Sequence, residues 1–594
     1  MEYKFQKLFS LAGDSNKYQF ILTTLTFILW ININVLSVTV GLLEKSPDIS
    51  YYDNSIEKYV NTTLNSTICN WDKNNYTITK NYTHSITTTF NIDCNEFKIG
   101  LMGSIIFLGN FIGCFTFQYF IEKFGRKKTI IIFFLPLIIS ILLFAFSFDY
   151  YFALISMFLT ELFCTIFALS TFLFCSEISN SKSRGFFTSL INSAFSVCGI
   201  VYTILYKYIG YWRYIFVINV ILNALTLIVF IFYSKESYRF YLGKNNFKKF
   251  IESLSHVAKK NDLIEEFKSK LEDQNSEEFK AYNDIDNFIT KKLNKEDENY
   301  KENGKEDQDK YSNNMFNKRN SISDSNNKTN NNNHNQKIGN YSTEENQNEN
   351  EINLRINLIE KEKYFNYNNS NSNLVDFKDK IDNSFFDLIK YPSIRTKFIS
   401  LCFLWFSCTG CYYGLDINIK NLNGDLYFNS ILNYSFDALI YFIGGFLINI
   451  KFMGRKYTMV LFYLISTVGF ILHCFISLSP NVDNMVLLIS RMCVAGNYVI
   501  LYTYTIELYP SPVRAIGFGI NNGLGKIAPI IIPFALVEFP KVIFFVYLLM
   551  NLICLVLVLF FLPETLGKPL KEIIDECIED KENLGKNFKG SENS

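Results

Sequence analysis

Four charged side chains stand inside long apolar stretches of this 594-residue sequence: Glu161, Asp437, Arg491 and Lys526. A charge in such a surrounding costs about 3 kcal/mol even on the most lenient insertion scales. Each is therefore paired internally or placed to meet a charged molecule. The chemistry on offer is recognition of charge rather than bond making. Lys526 sits among Asn521, Asn522, Gly525, Pro529 and Pro533 and suits a carboxylate or sulfate. Glu161 or Asp437 could instead serve as its internal partner, with a solute competing for the pair, and Glu161 could carry a proton. Arg491 lies near the end of its apolar run, where its head could reach polar surroundings. Trp30, Asn34, Trp405, Tyr412 and Tyr413 are further candidates to line a cavity, because aromatic faces suit both flat organic solutes and cations.

Other chemistries lack their residues. The four histidines (His84, His256, His334, His473) are scattered, and the single Cys408-Thr-Gly-Cys411 has no second cysteine pair to complete a metal site. There is no phosphate-cradling glycine loop and no recognisable nucleophile–base spacing, so no cofactor and no enzyme activity are expected. A net charge of +1 argues against nucleic acid as a partner.

The elements that must position these residues are membrane spans. Roughly 20 apolar residues in a helix cross a bilayer core, and only helices or closed barrels satisfy their backbones in lipid. Twelve candidates follow: 18–42, 99–120, 129–148, 152–174, 186–207, 212–234, 397–416, 427–449, 457–477, 483–505, 516–536 and 541–562, here spans 1 to 12. They fall into two sets of six around a polar block, 262–383, whose Asn-, Lys- and Glu-rich composition predicts disorder. With the N-terminus inside, short inner loops carry ten Lys and Arg (Lys123, Arg126, Lys127, Lys128, Lys182, Arg184, Lys451, Arg455, Lys456, Arg514) and outer ones four (Lys207, Arg213, Lys420, Lys541), the asymmetry that sets topology. Loop 43–98 then lies outside with four acceptor sequons, at Asn61, Asn65, Asn75 and Asn81. Cys69 and Cys94 share that oxidising side and are expected to pair. The first span reads as an uncleaved anchor.

The two sets of six repeat a signature. Glu122-Lys-Phe-Gly125-Arg126-Lys-Lys follows span 2 and Met453-Gly454-Arg455-Lys456 follows span 8. Glycine permits a tight turn, and arginine offers a rigid fork of donors to a carboxylate. Glu177 precedes Arg184 by seven residues after span 4, Glu507 precedes Arg514 by seven after span 10, and Glu236-Ser-Tyr-Arg239 follows span 6. These groups are read as ion pairs that latch the two halves together on the cytoplasmic side.

Taken jointly, these stretches resemble the organic cation/anion/carnitine transporter family within the sugar-porter-like major facilitator superfamily. The resemblance rests on Glu507-Leu-Tyr-Pro-Ser-Pro-Val-Arg514, Pro563-Glu-Thr-Leu-Gly-Lys-Pro-Leu570, Glu236-Ser-Tyr-Arg239 with Gly243-Lys244 and Ala258-Lys-Lys-Asn261, Trp405 with Tyr412-Tyr413-Gly414-Leu415, and Cys69-Asn-Trp71-Asp with Phe90-Asn-Ile-Asp-Cys94. It covers the chain except 262–383. Departures are Gln118 where a small residue is usual, Met157 where an arginine is usual, one cysteine pair in place of several, and the long insertion. The resemblance implies that Lys526 occupies a position basic in anion and carnitine carriers and acidic in cation carriers. Tyr441 falls where anion carriers often have a second basic residue.

The expected protein is thus an all-α membrane protein, twelve helices in two six-helix bundles of the major facilitator fold. Residues 1–240 form the first bundle, 241–396 a cytoplasmic loop, 397–565 the second bundle and 566–594 a tail. Its expected partners are the lipid bilayer and a small organic solute, anionic or zwitterionic slightly favoured over cationic, with the coupling ion left open and a monomeric state expected at the plasma membrane. A hexose carrier and a non-transporting receptor or scaffold are the alternatives.

Overall fold

Among the described residues, twelve helices are long and apolar enough to cross a membrane. In the computed structural model, which describes residues 2–13, 16–45, 47–53, 58–63, 76–78, 84–179, 183–244, 246–287, 290, 386, 388–421 and 425–568, they run Lys17–Leu43, Glu96–Phe124, Arg126–Ala145, Tyr150–Ile178, Arg184–Ile209 and Trp212–Tyr233, then Pro392–Ile417, Leu426–Leu447, Gly454–Phe475, Pro480–Leu508, Val513–Leu536 and Val542–Phe561. These are spans 1 to 12, each within a few residues of its expected position. Spans 2 and 4 are longer than the apolar run alone suggests, because Asn95 and Asp149 accept backbone hydrogen bonds at their N-termini and extend them into polar surroundings; Asp425 caps span 8 in the same way.

Burial separates the spans by position. Spans 7, 10 and 11 are 72%, 78% and 78% buried over their most apolar windows, whereas spans 6 and 12 are 33% buried. Spans 6 and 12 accordingly present Phe232, Phe560 and their neighbours outward, as a lipid-facing helix must. Spans 3 and 9 match as well, at 44% each. The second six thus repeat the first in place as well as in sequence.

The two bundles meet along spans 2 and 11 and along spans 5 and 8. Close approach there depends on small residues. A Cβ on Gly445 would lie 2.8 Å from Ser189, and one on Gly519 would lie 2.8 Å from Gln118. That second contact explains how the unusual Gln118 fits the seam: Gly519 on the opposing helix leaves its room. Met157 is fully buried and packs as an ordinary core residue.

The loop after span 1 carries structure of its own: Asp48–Asp53, Lys58–Thr63 and Tyr76–Ile78 form a three-stranded antiparallel sheet in the order second, first, third. One expectation needs correction. Order also extends past residue 262. Ile264–Glu272 is helical with Phe267 buried, residues 277–287 are helical, and Lys7 pairs with Glu277. Apolar residues at helical spacing (Phe267, Ala281, Ile285) give this segment a face to bury, which the average composition of the block hides. Residues 1–287 and 383–594 belong to one compact unit. We call the side bearing both Gly-Arg-Lys turns the basic face and the side bearing the sheet the sheet face.

Candidate functional site

Between the bundles lies a cavity of about 620 Å³ of atom-free space, part of it continuous with the surroundings. Trp30, Asn34, Ser37, Asn110, Glu161 and Asn192 line it from the first bundle; Tyr413, Tyr441, Tyr498, Tyr502, Asn522 and Lys526 line it from the second. Asn34 and Lys526 each occupy a break in a span. Span 1 is interrupted between Lys17–Ile33 and Val35–Leu43, and span 11 between Ser511–Gly525 and Ile527–Glu538. The sequence causes both breaks. Asn34 donates its side-chain amide to the Trp30 carbonyl at 2.8 Å, competing with the helix ladder. Pro529 has no N–H for the Gly525 carbonyl, which instead accepts from Thr409 Oγ1 at 2.5 Å. Such interrupted helices are where irregular backbone can serve a cavity at membrane depth.

Lys526 is 5% exposed and forms no ion pair among the described residues. Its Nζ donates to Tyr498 Oη at 3.0 Å and stands 5.0 Å from the Tyr413 ring centre and 5.6 Å from that of Tyr498. Two aromatic faces and a hydroxyl thus shelter the ammonium without neutralising it. Glu161, 1% exposed, is on the opposite bundle and accepts from Ser37 Oγ at 2.8 Å. Beside it, Thr165 donates to Asn110. A buried cation and a buried acid therefore face one cavity from different bundles, unpaired with each other.

The other expected site residues lie elsewhere. Asp437 and Arg491 do not line the cavity. Arg491 Nη1 donates to Asp437 Oδ1 at 2.7 Å, and Nη2 donates to Asp416 Oδ1 at 2.9 Å. Arg491 is 2% exposed, so it is buried in this pairing rather than extended toward polar surroundings. Tyr412 and Trp405 stand behind the cavity wall. Tyr412 donates to Asp437 at 2.8 Å and stacks on Tyr498 with centres 5.4 Å apart. Trp405 donates Nε1 to Thr505 at 3.0 Å and packs on Tyr502. Its counterpart in the first bundle, Trp30, donates to Thr171 at 2.9 Å but does reach the cavity. Tyr498, Tyr502, Ser37 and Asn110 carry the wall with Asn522, already marked beside Lys526; the other four had no distinguishing spacing in the sequence.

At the basic face the two halves build the same cluster. Arg126 grips Glu177 through Nε at 3.2 Å and Nη2 at 2.6 Å. Arg455 grips Glu507 through Nε at 3.1 Å and Nη2 at 3.0 Å. Glu236 accepts from the backbone N–H groups of Arg126 and Lys127, at 2.9 and 3.0 Å, and Glu564 from those of Arg455 and Lys456, at 3.0 and 2.9 Å. Ser237 donates to Glu177 at 2.7 Å as Thr565 donates to Glu507 at 2.6 Å. Each second acid thus caps the N-terminus of span 3 or span 9, where the exposed amides and the dipole favour negative charge. Gly125 and Gly454 enter those helices with φ of +93° and +62°, a conformation that favours glycine. A Cβ at either would overlap the capping carboxylate.

This geometry corrects the latch. The Arg126–Glu177 and Arg455–Glu507 pairs hold spans together inside one bundle. Among the described residues one ion pair joins the bundles at this face: Arg184 Nη1 to Glu507 Oε1 at 3.4 Å, both buried. Equal acid-to-arginine spacing did not imply pairing, since Arg184 and Arg514 instead donate Nε to the carbonyls of Ser176 and Tyr509, each at the foot of the same turn. Arg239 donates to the Glu177 carbonyl at 2.8 Å and lies 4.4 Å from the Phe9 ring centre. Glu122 forms no ion pair among the described residues, because the arginine expected for it is taken by Glu177. Glu564 was quoted as part of a motif but not foreseen as a cap. On the sheet face, Cys94 is disulfide-bonded; its expected partner Cys69 lies outside the described residues, as do Asn65, Asn75 and Asn81. Asn61 sits in the second strand, opposite Ser50.

Comparison with known proteins places these features. A sequence profile described as Major Facilitator Superfamily matches residues 24–533. Organic cation/carnitine transporter 2 of Mus musculus is 28% identical over 203 residues, 33% of this chain and 35% of that protein. Organic cation transporter 1 of Caenorhabditis elegans is 24% identical over 528 residues, 87% of this chain and 71% of that protein. Among solved structures, the proton:xylose symporter XylE of E. coli, bound to 6-bromo-6-deoxy-D-glucose, superposes with a TM-score of 0.58 at 12% identity, covering 93% of this chain and 98% of its own. That likeness is one of fold.

Proposed function

Since the chain belongs to the Major Facilitator Superfamily, we propose that it carries small organic ions across a membrane by alternating access, with anionic or zwitterionic solutes favoured over cations. The observation that carries this reading is Lys526, a buried ammonium on a cavity wall with no carboxylate partner among the described residues. Such a charge is costly, and an acidic group on the solute offsets that cost only when bound. Glu161 across the cavity, with the Trp30 and Tyr502 rings nearby, would receive a cationic end. A zwitterion satisfies both walls at once and bridges the bundles. The mouse relative is named for organic cations and carnitine, and carnitine is such a zwitterion. A neutral hexose would find Asn110, Asn192 and Asn522 but leave Lys526 unmatched, so the organic ion is the better fit.

The basic face is cytoplasmic in this reading, the sheet face lies outside the plasma membrane with its glycosylation sequons, and the protein acts as a monomer. The bundles rock about the cavity, and the Arg184–Glu507 pair parts when the site opens inward. No nucleotide is required; gradients drive the movement. Uptake of labelled carnitine, an organic anion and an organic cation into proteoliposomes tests the proposal. Wild type is expected to accumulate at least one of the three faster than an Arg126→Ala, Arg455→Ala double variant. Equal, background-level uptake of all three by both proteins would refute it.

A further inference from the structure

Asp416 is the penultimate residue of span 7, one turn beyond Tyr413 and two residues before the short 3-10 turn Asn418–Asn421. Its Oδ1 accepts from Arg491 Nη2 at 2.9 Å and from Asn433 Nδ2 at 3.0 Å. Its Oδ2 accepts no hydrogen bond among the described residues, and Asp416 lines a second cavity of about 440 Å³ of atom-free space on the sheet face, with Glu44, Ser430 and Tyr434. On its other side, Arg491 holds Asp437 at 2.7 Å, and both oxygens of Asp437 are occupied, by Arg491 and by Tyr412. Arg491 Nε makes no hydrogen bond among the described residues.

Two carboxylates therefore share one guanidinium inside the membrane domain. With both ionised the trio carries a formal charge of −1 in an apolar interior, which is a costly state. The groups that face it do not repair that. Tyr412 and Tyr441 approach Asp437 from spans 7 and 8, Tyr434 from span 8 faces all three members with Cys198 of span 5 beyond it, and Glu44 of span 1 adds another acid at the cavity. Lys45 and Lys207 stand over the Tyr427 ring at the start of span 8, and Lys526 over that of Tyr413. One proton restores neutrality. A metal cation would need several free oxygens, whereas the trio offers one, Asp416 Oδ2.

We propose that Asp416 is a proton-binding site that couples solute movement to proton entry; this rests on the transport reading above. A hydronium ion of the water on the sheet face gives a proton to Oδ2: its O–H bond breaks, leaving neutral water, one O–H bond forms on Asp416, and Arg491–Asp437 is left as a neutral pair. The hold of Arg491 on the end of span 7 then weakens. Tyr413, one turn back on that span, lies against Lys526, so movement of the span's end reaches the solute cavity. The proton leaves to cytoplasmic water with the solute.

Two measurements test this separately. Infrared titration of purified full-length protein should show a protonated-carboxyl carbonyl band that Asp416→Asn removes and Asp416→Glu retains. This readout stands even if no solute of the panel is carried. In proteoliposomes with labelled carnitine, one pH unit, acid on the sheet-face side, should let wild type concentrate the label up to about tenfold. Asp416→Asn should do no more than equilibrate it while still exchanging label at symmetric pH. The proposal is overturned if the band survives Asp416→Asn, if that variant concentrates carnitine as wild type does, or if a sodium gradient replaces the pH gradient as the driving force.

Discussion

Tyr498 holds Lys526 by a hydrogen bond to a charged donor, the kind that contributes about 1.5–3 kcal/mol. Tyr498→Phe keeps the ring and its cation–π face but removes that bond. The expected result is an increase in KM of roughly tenfold or more for an anionic or zwitterionic solute, with little loss of folded protein, read by uptake kinetics and size-exclusion profile. Glu161→Gln should spare a simple anion and weaken a zwitterion, because only the second places a cation near it. Charged cavity residues were legible in the sequence because Lys526 and Glu161 interrupt apolar runs. Their tyrosine neighbours were not, because Tyr498 and Tyr502 are two among 37 tyrosines, and only the folded helices decide which of them face inward. Asp437 and Arg491 show the converse: interruption of an apolar run marks a buried charge, but pairing can satisfy it away from the cavity.

At the scale of the helix, Glu236 and Glu564 cap spans 3 and 9 in the same way. Glu564→Ala should cost on the order of 1–2 kcal/mol, since it removes both the cap and its dipole interaction, and should lower the melting temperature in detergent. Gly454→Ala should do likewise through the positive φ and the overlap with the carboxylate. Burial holds the Glu236 carboxyl above its ordinary value of 4.5, against the backbone N–H groups of Lys127 and Ser237 that favour its charge. The folded state thus binds this proton more tightly than the unfolded chain does. Its contribution to stability is fully present below pH 4.5 and declines as pH rises through the elevated value. Glu236→Gln should remove that decline from a plot of melting temperature against pH. The repeat itself was legible as paired Gly-Arg-Lys turns, because a tight turn demands glycine. The partner choice was not: Arg126 lies 51 residues from Glu177 and 110 from Glu236, and local spacing says nothing about which distant acid meets a turn.

For the molecule as a whole, twelve spans could be counted from apolar length because lipid imposes it, whereas the seam between bundles depends on close approaches such as Gly519 to Gln118 that no periodicity announces. Among the described residues Arg184–Glu507 is the ion pair that joins the bundles at the basic face, so Arg184→Gln should raise labelling of cysteines introduced along spans 4 and 10 by reagents added on that face. Unchanged labelling would remove the pair from the gate. Deleting 288–382 leaves the unit of 1–287 and 383–594 complete, and uptake is expected to persist at a comparable rate. The most direct test of the whole account is charge preference: uptake of labelled carnitine, an organic anion and an organic cation by wild type and Lys526→Asp in the same proteoliposomes. Wild type is expected to favour the anion or the zwitterion, and Lys526→Asp to shift preference to the cation. Flux with identical selectivity in the two proteins would contradict it.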